Sequence, residues 1–326
     1  MLTDLPEAAL RVFRSAVVDP DDFDDFWDAT LAAARTAARP PQWRPFPTPL
    51  TGLDVWDVEF AGFAGDPVRG WVIAPRGAAD GPPLPAVVEY LGYGGGRGNP
   101  LAHTLYGSAG YVHLVMDSRG QGSGRGQAPG DTADPHGRGP SFPGVMTAGI
   151  ETPETYYYRR LITDAVLAVD AVRALPFVDP ARVGVVGGSQ GGALAIAAAA
   201  LCTGLRAAVA FVPFLSDIAR ATTITNENPY AEIAHYLATR RTEVARAQRT
   251  LAYVDGVNFA RRGRTAAWYS VALMDPICPP STVFASYNEY AAEKRITVWP
   301  YNGHEGGGVE DRAMSLDAFA EALGPQ

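Results

Sequence analysis

The 326-residue chain has only two cysteines, Cys202 and Cys278, too few for a disulfide framework or a cysteine-based zinc centre. Its most apolar stretch, Ala193 to Leu201, falls far short of the ~20 residues a membrane-spanning helix needs. Positive charge is in deficit. Lys plus Arg number 27 against 35 Asp plus Glu, a formal net charge of −8. That field repels phosphate backbones and anionic lipid, so neither nucleic acid nor membrane is expected as a partner. The segment Met1-Leu2-Thr3-Asp4-Leu5-Pro6-Glu7 has no basic start and no long apolar run, so it does not read as a signal peptide and a cytoplasmic location is expected. Internal repeats and low-complexity tails are missing too. What is present is ordinary for a folded chain: 47% hydrophobic and 19% charged residues.

Length alone is compatible with two domains, but the pattern along the chain favours one, 1–326, with additions. Residues 7–38 have helical spacing, with Phe23, Phe26, Trp27 and Leu31 on one stripe. A proline-rich run, 39–49, then enforces extended chain, so 1–50 reads as an N-terminal helical extension. Val55 to Phe60 and Arg69 to Ala74 alternate apolar with polar residues and read as a half-exposed edge hairpin. Beyond them the apolar runs become continuous: 86–91, 111–116, 183–187, 207–212, 265–274 and 296–300. Such runs suit strands covered on both faces, and helical stripes at 161–172, 191–201 and 313–323 separate several of them. The expected class is α/β, a mostly parallel sheet with helices on both faces. Residues 123–156, rich in Gly and Pro, read as a long loop, and 228–251 as a helical insertion.

The chemistry centres on Gly187-Gly188-Ser189-Gln190-Gly191, a G-x-S-x-G placed where a buried strand enters a small-residue helix. A serine nucleophile must stand clear of the backbone, and a tight strand-to-helix bend achieves this only if Gly187 and Gly191 leave room. The dinucleotide pattern G-x-G-x-x-G does not fit here, and no Gly-Lys-Ser/Thr phosphate loop exists. On such a bend the order is serine, acid, histidine. Only His235 and His304 follow Ser189. His304 lies in a glycine-rich loop after the last strand and is the expected base, whereas His235 falls in the insertion. Asp275, directly after an apolar run, is the expected orienting acid, with Asp217 the alternative. Cys278 has no such bend around it and is expected to be a core or loop thiol. Glu305 follows His304, but H-E-x-x-H would need histidine at position 308, which is Gly308, so neither metal nor another cofactor is expected. Donors for a developing oxyanion are expected from the amides of Gln190 and Tyr93, the latter in the loop after the 86–91 run.

Three spaced signatures then carry a resemblance: Arg119-Gly120-Gln121-Gly122, Gly187-Gly188-Ser189-Gln190-Gly191 and His304-Glu305. With Asp22 to Trp27, Tyr156 to Arg160 and Leu273 to Phe284, they make the chain resemble carbohydrate esterase family seven, the acetyl xylan esterase and cephalosporin C deacetylase family. The resemblance spans nearly the whole chain. It implies an α/β-hydrolase fold, a triad at Ser189, Asp275 and His304, an oxyanion hole at Tyr93 and Gln190, and Arg119 and Gln121 as supports. It further implies deacetylation of small acetylated sugars, with cephalosporin C as a side substrate, in a cytoplasmic homohexamer. Two positions beside the site depart from the family pattern. Leu91 stands where a histidine is usual and Asn302 where a tyrosine is usual, which bears on substrate preference rather than reaction type. Competing expectations are a short-chain carboxylesterase, perhydrolase or peptidase using the same triad, and a silent binding protein, which would be expected to have lost a triad member.

Overall fold

The computed structural model describes residues 3–124, 127–137 and 139–324. Its strands are β1 (Gln42–Pro45), β2 (Leu53–Ala61), β3 (Pro67–Pro75), β4 (Leu84–Tyr90), β5 (Val112–Met116), β6 (Val178–Gly188), β7 (Ala207–Phe211), β8 (Ala266–Ala272) and β9 (Lys294–Trp299). Among the described residues they form one sheet in the order β1-β2-β3-β5-β4-β6-β7-β8-β9. Pairing is antiparallel from β1 through β3 to β5 and parallel from β5 across to β9. The chain thus goes one way from β4 to β5 and returns to the other side of β4 with β6. The carboxyl ends of β4 and β6 flank that reversal, where open α/β sheets place their ligand crevices. Tyr90 is level with Gly187 in the register, so the loops that follow leave the sheet side by side.

The helices are α1 (Glu7–Leu10), α2 (Phe23–Ala37), α3 (Leu105–Ser108), α4 (Tyr157–Arg173), α5 (Gln190–Leu201), α6 (Ile218–Ile224), α7 (Tyr230–Thr239), α8 (Val244–Ala252), α9 (Gly256–Ala260), α10 (Pro280–Glu289) and α11 (Val309–Leu323). Alternation along the central strands explains the layering. Val87 and Val186 bury against Tyr106 of α3 and Phe319 of α11 on one face. Val88 and Val185 face the other way, into the larger core with Leu161 of α4 and Leu194 of α5. This is the α/β-hydrolase arrangement. No helix among the described residues is long and apolar enough to cross a membrane.

Three local expectations are corrected. Residues 11–22 are not helical and separate α1 from α2. Pro20 lacks an N–H and disfavours α backbone at Asp19, and Asp19 instead pairs with Arg261 and Arg262. The hairpin β2–β3 is largely buried rather than half exposed, because β1 takes the outer edge and Phe177 stacks on Trp56. The segment 228–251 is two helices, α7 and α8, broken at 240–243. Residues 123–156 have no helix or strand where they are described.

Candidate active site

Ser189 joins β6 to α5 with φ 54° and ψ −118°, a conformation that costs a residue bearing Cβ and persists only where its surroundings enforce it. The enforcement is visible. Its N–H donates to Phe211 O (2.9 Å), and its carbonyl accepts from Phe214 N (3.0 Å) and Ala193 N (3.1 Å). The flanking glycines are obligatory at contact distance. A Cβ on Gly187 would lie 2.3 Å from the Gly191 carbonyl carbon, and one on Gly191 would lie 2.1 Å from Tyr90 O. Helix α5 therefore sits against β4, and its first amide, Gln190 N–H, has no helical acceptor one turn back.

His304 and Asp275 arrive from the ends of β9 and β8. His304 Nδ1 lies 2.8 Å from Asp275 Oδ2. The other carboxylate oxygen, Oδ1, accepts from the amides of Ile277 (2.8 Å) and Cys278 (2.9 Å). Asp275 is fully buried, while the His304 side chain is about a quarter exposed at 26%. Ser189 and His304 line the same two adjoining cavities, of 490 and 560 Å³. The Ser189 hydroxyl also lies beside the Cys278 thiol. Burial pushes that thiol's pKa well up and the Asp275 charge adds to it, while the serine contact opposes both. Such a thiol is protonated and a poor nucleophile.

The alternatives lie elsewhere. Asp217 begins α6 in left-handed backbone and faces Ser15 and Arg220, its carboxyl raised by burial. His235 is exposed on α7 against Phe142. Among the described residues, Asp275, Cys278 and His304 gather ligand atoms within 4.8 Å of one another. Both Asp275 oxygens are already taken by the histidine and two amides, so the set does not present a free carboxylate to a metal.

Tyr93 and Gln190 are joined by a buried network. Gln121 Nε2 donates to Gln190 Oε1 (2.9 Å) and to the Tyr157 hydroxyl (2.7 Å), and its Oε1 accepts from Gly94 N (2.6 Å). The Tyr158 hydroxyl also donates to Gln190 Oε1 (3.0 Å), and Gln190 Nε2 donates to Leu91 O (3.2 Å). One glutamine thus ties the loop after β4 to the start of α5. Among the described residues the Tyr93 amide meets no acceptor. Arg119, fully buried, forks onto Asp164, with its Nη1 donating to Asp66 (3.0 Å) and Asp134 (3.3 Å). Burial disfavours its charge, but Asp164 and the other carboxylates outweigh this and hold it protonated.

Sequence reasoning did not find Glu232. Its carboxylate accepts from the Tyr93 hydroxyl (2.8 Å) and from Met146 N (3.2 Å), fixing the tyrosine's tip from α7. The side chain is buried, which raises its carboxyl pKa against the tyrosine's donation. No spacing links positions 93 and 232, although Glu232 stands out as an acid on an otherwise apolar face of α7. Tyr157 and Tyr158 lie in a stretch whose only signal was the family resemblance.

The comparisons with known proteins converge on one family. The model of the acetyl xylan esterase (AXE1) family matches residues 1–319. The chain belongs to the acetyl xylan esterase family. A solved acetyl xylan esterase from Paenibacillus sp. R4 superposes with a TM-score of 0.89 at 34% identity, over 96% of this chain and 99% of that one. Acetyl xylan esterase 1 from Thermoanaerobacterium sp. JW/SL YS485 does so with a TM-score of 0.89 at 32% identity, over 98% and 99%. The acetyl esterase Axe7A of Xylanibacter ruminicola is 28% identical over 301 residues, covering 88% of this chain. The chain spans 64% of that relative's length. Membership makes this an α/β hydrolase of a carboxylic ester hydrolase family.

Proposed function

We propose that the protein hydrolyses acetyl esters of small sugars, xylo-oligosaccharides among them, through Ser189, His304 and Asp275. The observation that carries this reading is the 2.8 Å pair between His304 Nδ1 and Asp275 Oδ2 beside the strained Ser189 bend. A carboxylate that accepts two amides can only accept again, so the imidazole proton resides on Nδ1 and the Nε2 lone pair is free. Ser189, turned from Cys278 toward His304 by rotation about Cα–Cβ, gives its proton to Nε2 as Oγ attacks the acetyl carbonyl. The amides of Tyr93 and Gln190 receive the oxyanion. Collapse expels the sugar oxygen with the proton from His304. Water, deprotonated by the same imidazole, then attacks the acetyl-serine, and the second collapse frees acetate and restores Ser189. Arg119 and Gln121 act through the loops they brace. Cephalosporin C as a side substrate, a cytoplasmic setting and a homohexamer belong to the same reading, which light scattering tests for assembly.

The direct test is acetate release from acetylated xylo-oligosaccharides, cephalosporin C and simple acetates, with an acyl series alongside. The expected profile is a steep fall in kcat/KM from acetyl to butyryl esters, since Leu91, Pro229 and Ile277 close on the space beside the Tyr93 loop. A flat acyl profile favours a general carboxylesterase, and peptide or perhydrolytic turnover exceeding acetate release replaces the reading altogether.

A further inference from the structure

The two cavities that meet at Ser189 differ in chemistry. They share only Ala102, His103, Ser189 and His304 in their walls. The 560 Å³ lobe holds the Tyr93 loop together with Leu91, Pro229 and Ile277. The 490 Å³ lobe lies under α3 and the start of α11, and its wall carries Glu89, His103, His113 and Arg312. Glu89, the penultimate residue of β4, sets one carboxylate oxygen, Oε2, 3.0 Å from His113 Nε2 and 3.4 Å from His103 Nδ1. Each imidazole is fixed from behind by a carbonyl: His103 Nε2 meets Arg97 O (3.1 Å) and His113 Nδ1 meets His103 O (3.0 Å). A carbonyl only accepts, so each of those ring nitrogens carries its proton and both rings are oriented toward the carboxylate.

One polar atom is left over. Glu89 Oε1 accepts from no donor among the described residues, and its side chain is still 29% exposed, toward the lobe. His113 Nε2, by contrast, is buried against the other carboxylate oxygen at 3.0 Å. A carboxylate oxygen facing a cavity with no donor beside it is free to accept from a ligand. Burial raises the Glu89 carboxyl, but the two imidazoles outweigh it and hold the group ionised. At the rim, Arg312 is exposed and makes no ion pair among the described residues.

We propose that this polar lobe receives the alcohol half of the ester, a neutral hydroxyl-rich sugar ring, with Glu89 Oε1 accepting a ring hydroxyl and Arg312 donating at the rim. The inference rests on the acetyl-esterase reading. With the ester oxygen aimed at the Tyr93 and Gln190 amides, the apolar methyl has Pro229 and Ile277 beside it, and the alcohol is left the other lobe. Sugar hydroxyls both donate and accept, which matches a carboxylate, imidazoles and a guanidinium. An apolar alcohol would strip these groups of water without replacing its hydrogen bonds, and a carboxylate-bearing one would face Glu89.

The test compares kcat/KM for acetylated xylobiose with that for ethyl acetate, whose alcohol half carries no hydroxyl for Glu89 to accept. Glu89→Gln removes the charged acceptor, and Leu105→Trp narrows the lobe from α3 while keeping the carboxylate. The expected result in both variants is a fall of at least about 10-fold in the ratio of the two values, as for loss of a charged hydrogen bond, expressed in KM more than kcat. A ratio within about 2-fold of the parent in Leu105→Trp overturns the assignment, even if Glu89→Gln does not fold. An equal loss on both substrates in Glu89→Gln, with Leu105→Trp unaffected, also overturns it. Failure of the parent protein to release acetate from either substrate would instead sink the esterase reading beneath it.

Discussion

Ser189 and His304 line the same cavities but are put there by different means. The serine bend carries its own signature: Gly187, Gly191 and the Tyr90 carbonyl touch so closely that no other side chains fit, so the two glycines the bend requires lie within two residues of the serine, although Tyr90, Phe211 and Phe214 close round it from elsewhere in the chain. The histidine loop has bonds of its own, with Glu305 Oε1 accepting from Asn302 Nδ2 (3.1 Å) and Gly303 N (3.1 Å), but these shape the loop without orienting the imidazole. It is placed by a buried acid 29 residues earlier in the chain and by Asp311, whose Oδ2 accepts from Gly307 N (2.8 Å). Geometry imposed by steric exclusion can be read from adjacent residues. Geometry imposed by partners from other strands cannot.

That contrast can be broken first at the serine. Ser189→Ala is expected to lower kcat by about 10⁶, on the scale of serine hydrolases that lose their nucleophile, while urea unfolding stays close to the parent. A variant that loses stability instead would show the hydroxyl to be part of the bend's framework. On the histidine side, Asp275→Asn is expected to lower kcat by roughly 10⁴ through the wrong tautomer, whereas Asp217→Asn leaves steady-state rates within about 2-fold. Reversal of those two results would reassign the acid. Arg119→Gln leaves Asp164 buried and unpaired. The expected cost is about 3–5 kcal/mol in urea unfolding, and activity of the folded fraction should fall far less than in Asp275→Asn.

The smallest effect expected is a pH trend. Asp255 caps α9 and accepts from Asp217 N (3.0 Å) and Ile218 N (2.8 Å). Burial pushes its carboxyl from 3.8 up to about 7. A carboxyl raised on folding stabilises the protein fully below its unfolded pKa and loses that contribution as pH rises through the folded value. The melting temperature of the parent relative to Asp255→Asn should therefore decline between pH 4 and 7. A difference that stays level across that window would show that the group does not titrate there.

Much of the sheet was legible because strands covered on both faces must be continuously apolar, and the runs around Val87, Val185 and Val209 are. The serine bend and its glycines were legible for the steric reason given above, and chain order pointed to Asp275 and His304, which the fold places in contact. The failures share a cause. Helical spacing continued across 11–22, yet Pro20 and the ion pairs of Asp19 with Arg261 and Arg262, some 240 residues away, decide the backbone there. Glu232 reaches Tyr93 across 139 positions, and nothing near either residue encodes the encounter. Nor does any local pattern reveal that Glu89, on an otherwise apolar strand, faces two imidazoles.

The clamp on Gln190 has a consequence for solvent. Its carboxamide is held by Gln121, Tyr158 and Leu91 O, so the peptide group beside Ser189 is aimed before any ester arrives. In water, dipoles must swing round to meet a nascent negative charge. In the proposed mechanism that rearrangement is completed when the chain folds. Loosening the clamp should therefore slow the chemical step while leaving the affinity for the resting ester almost untouched.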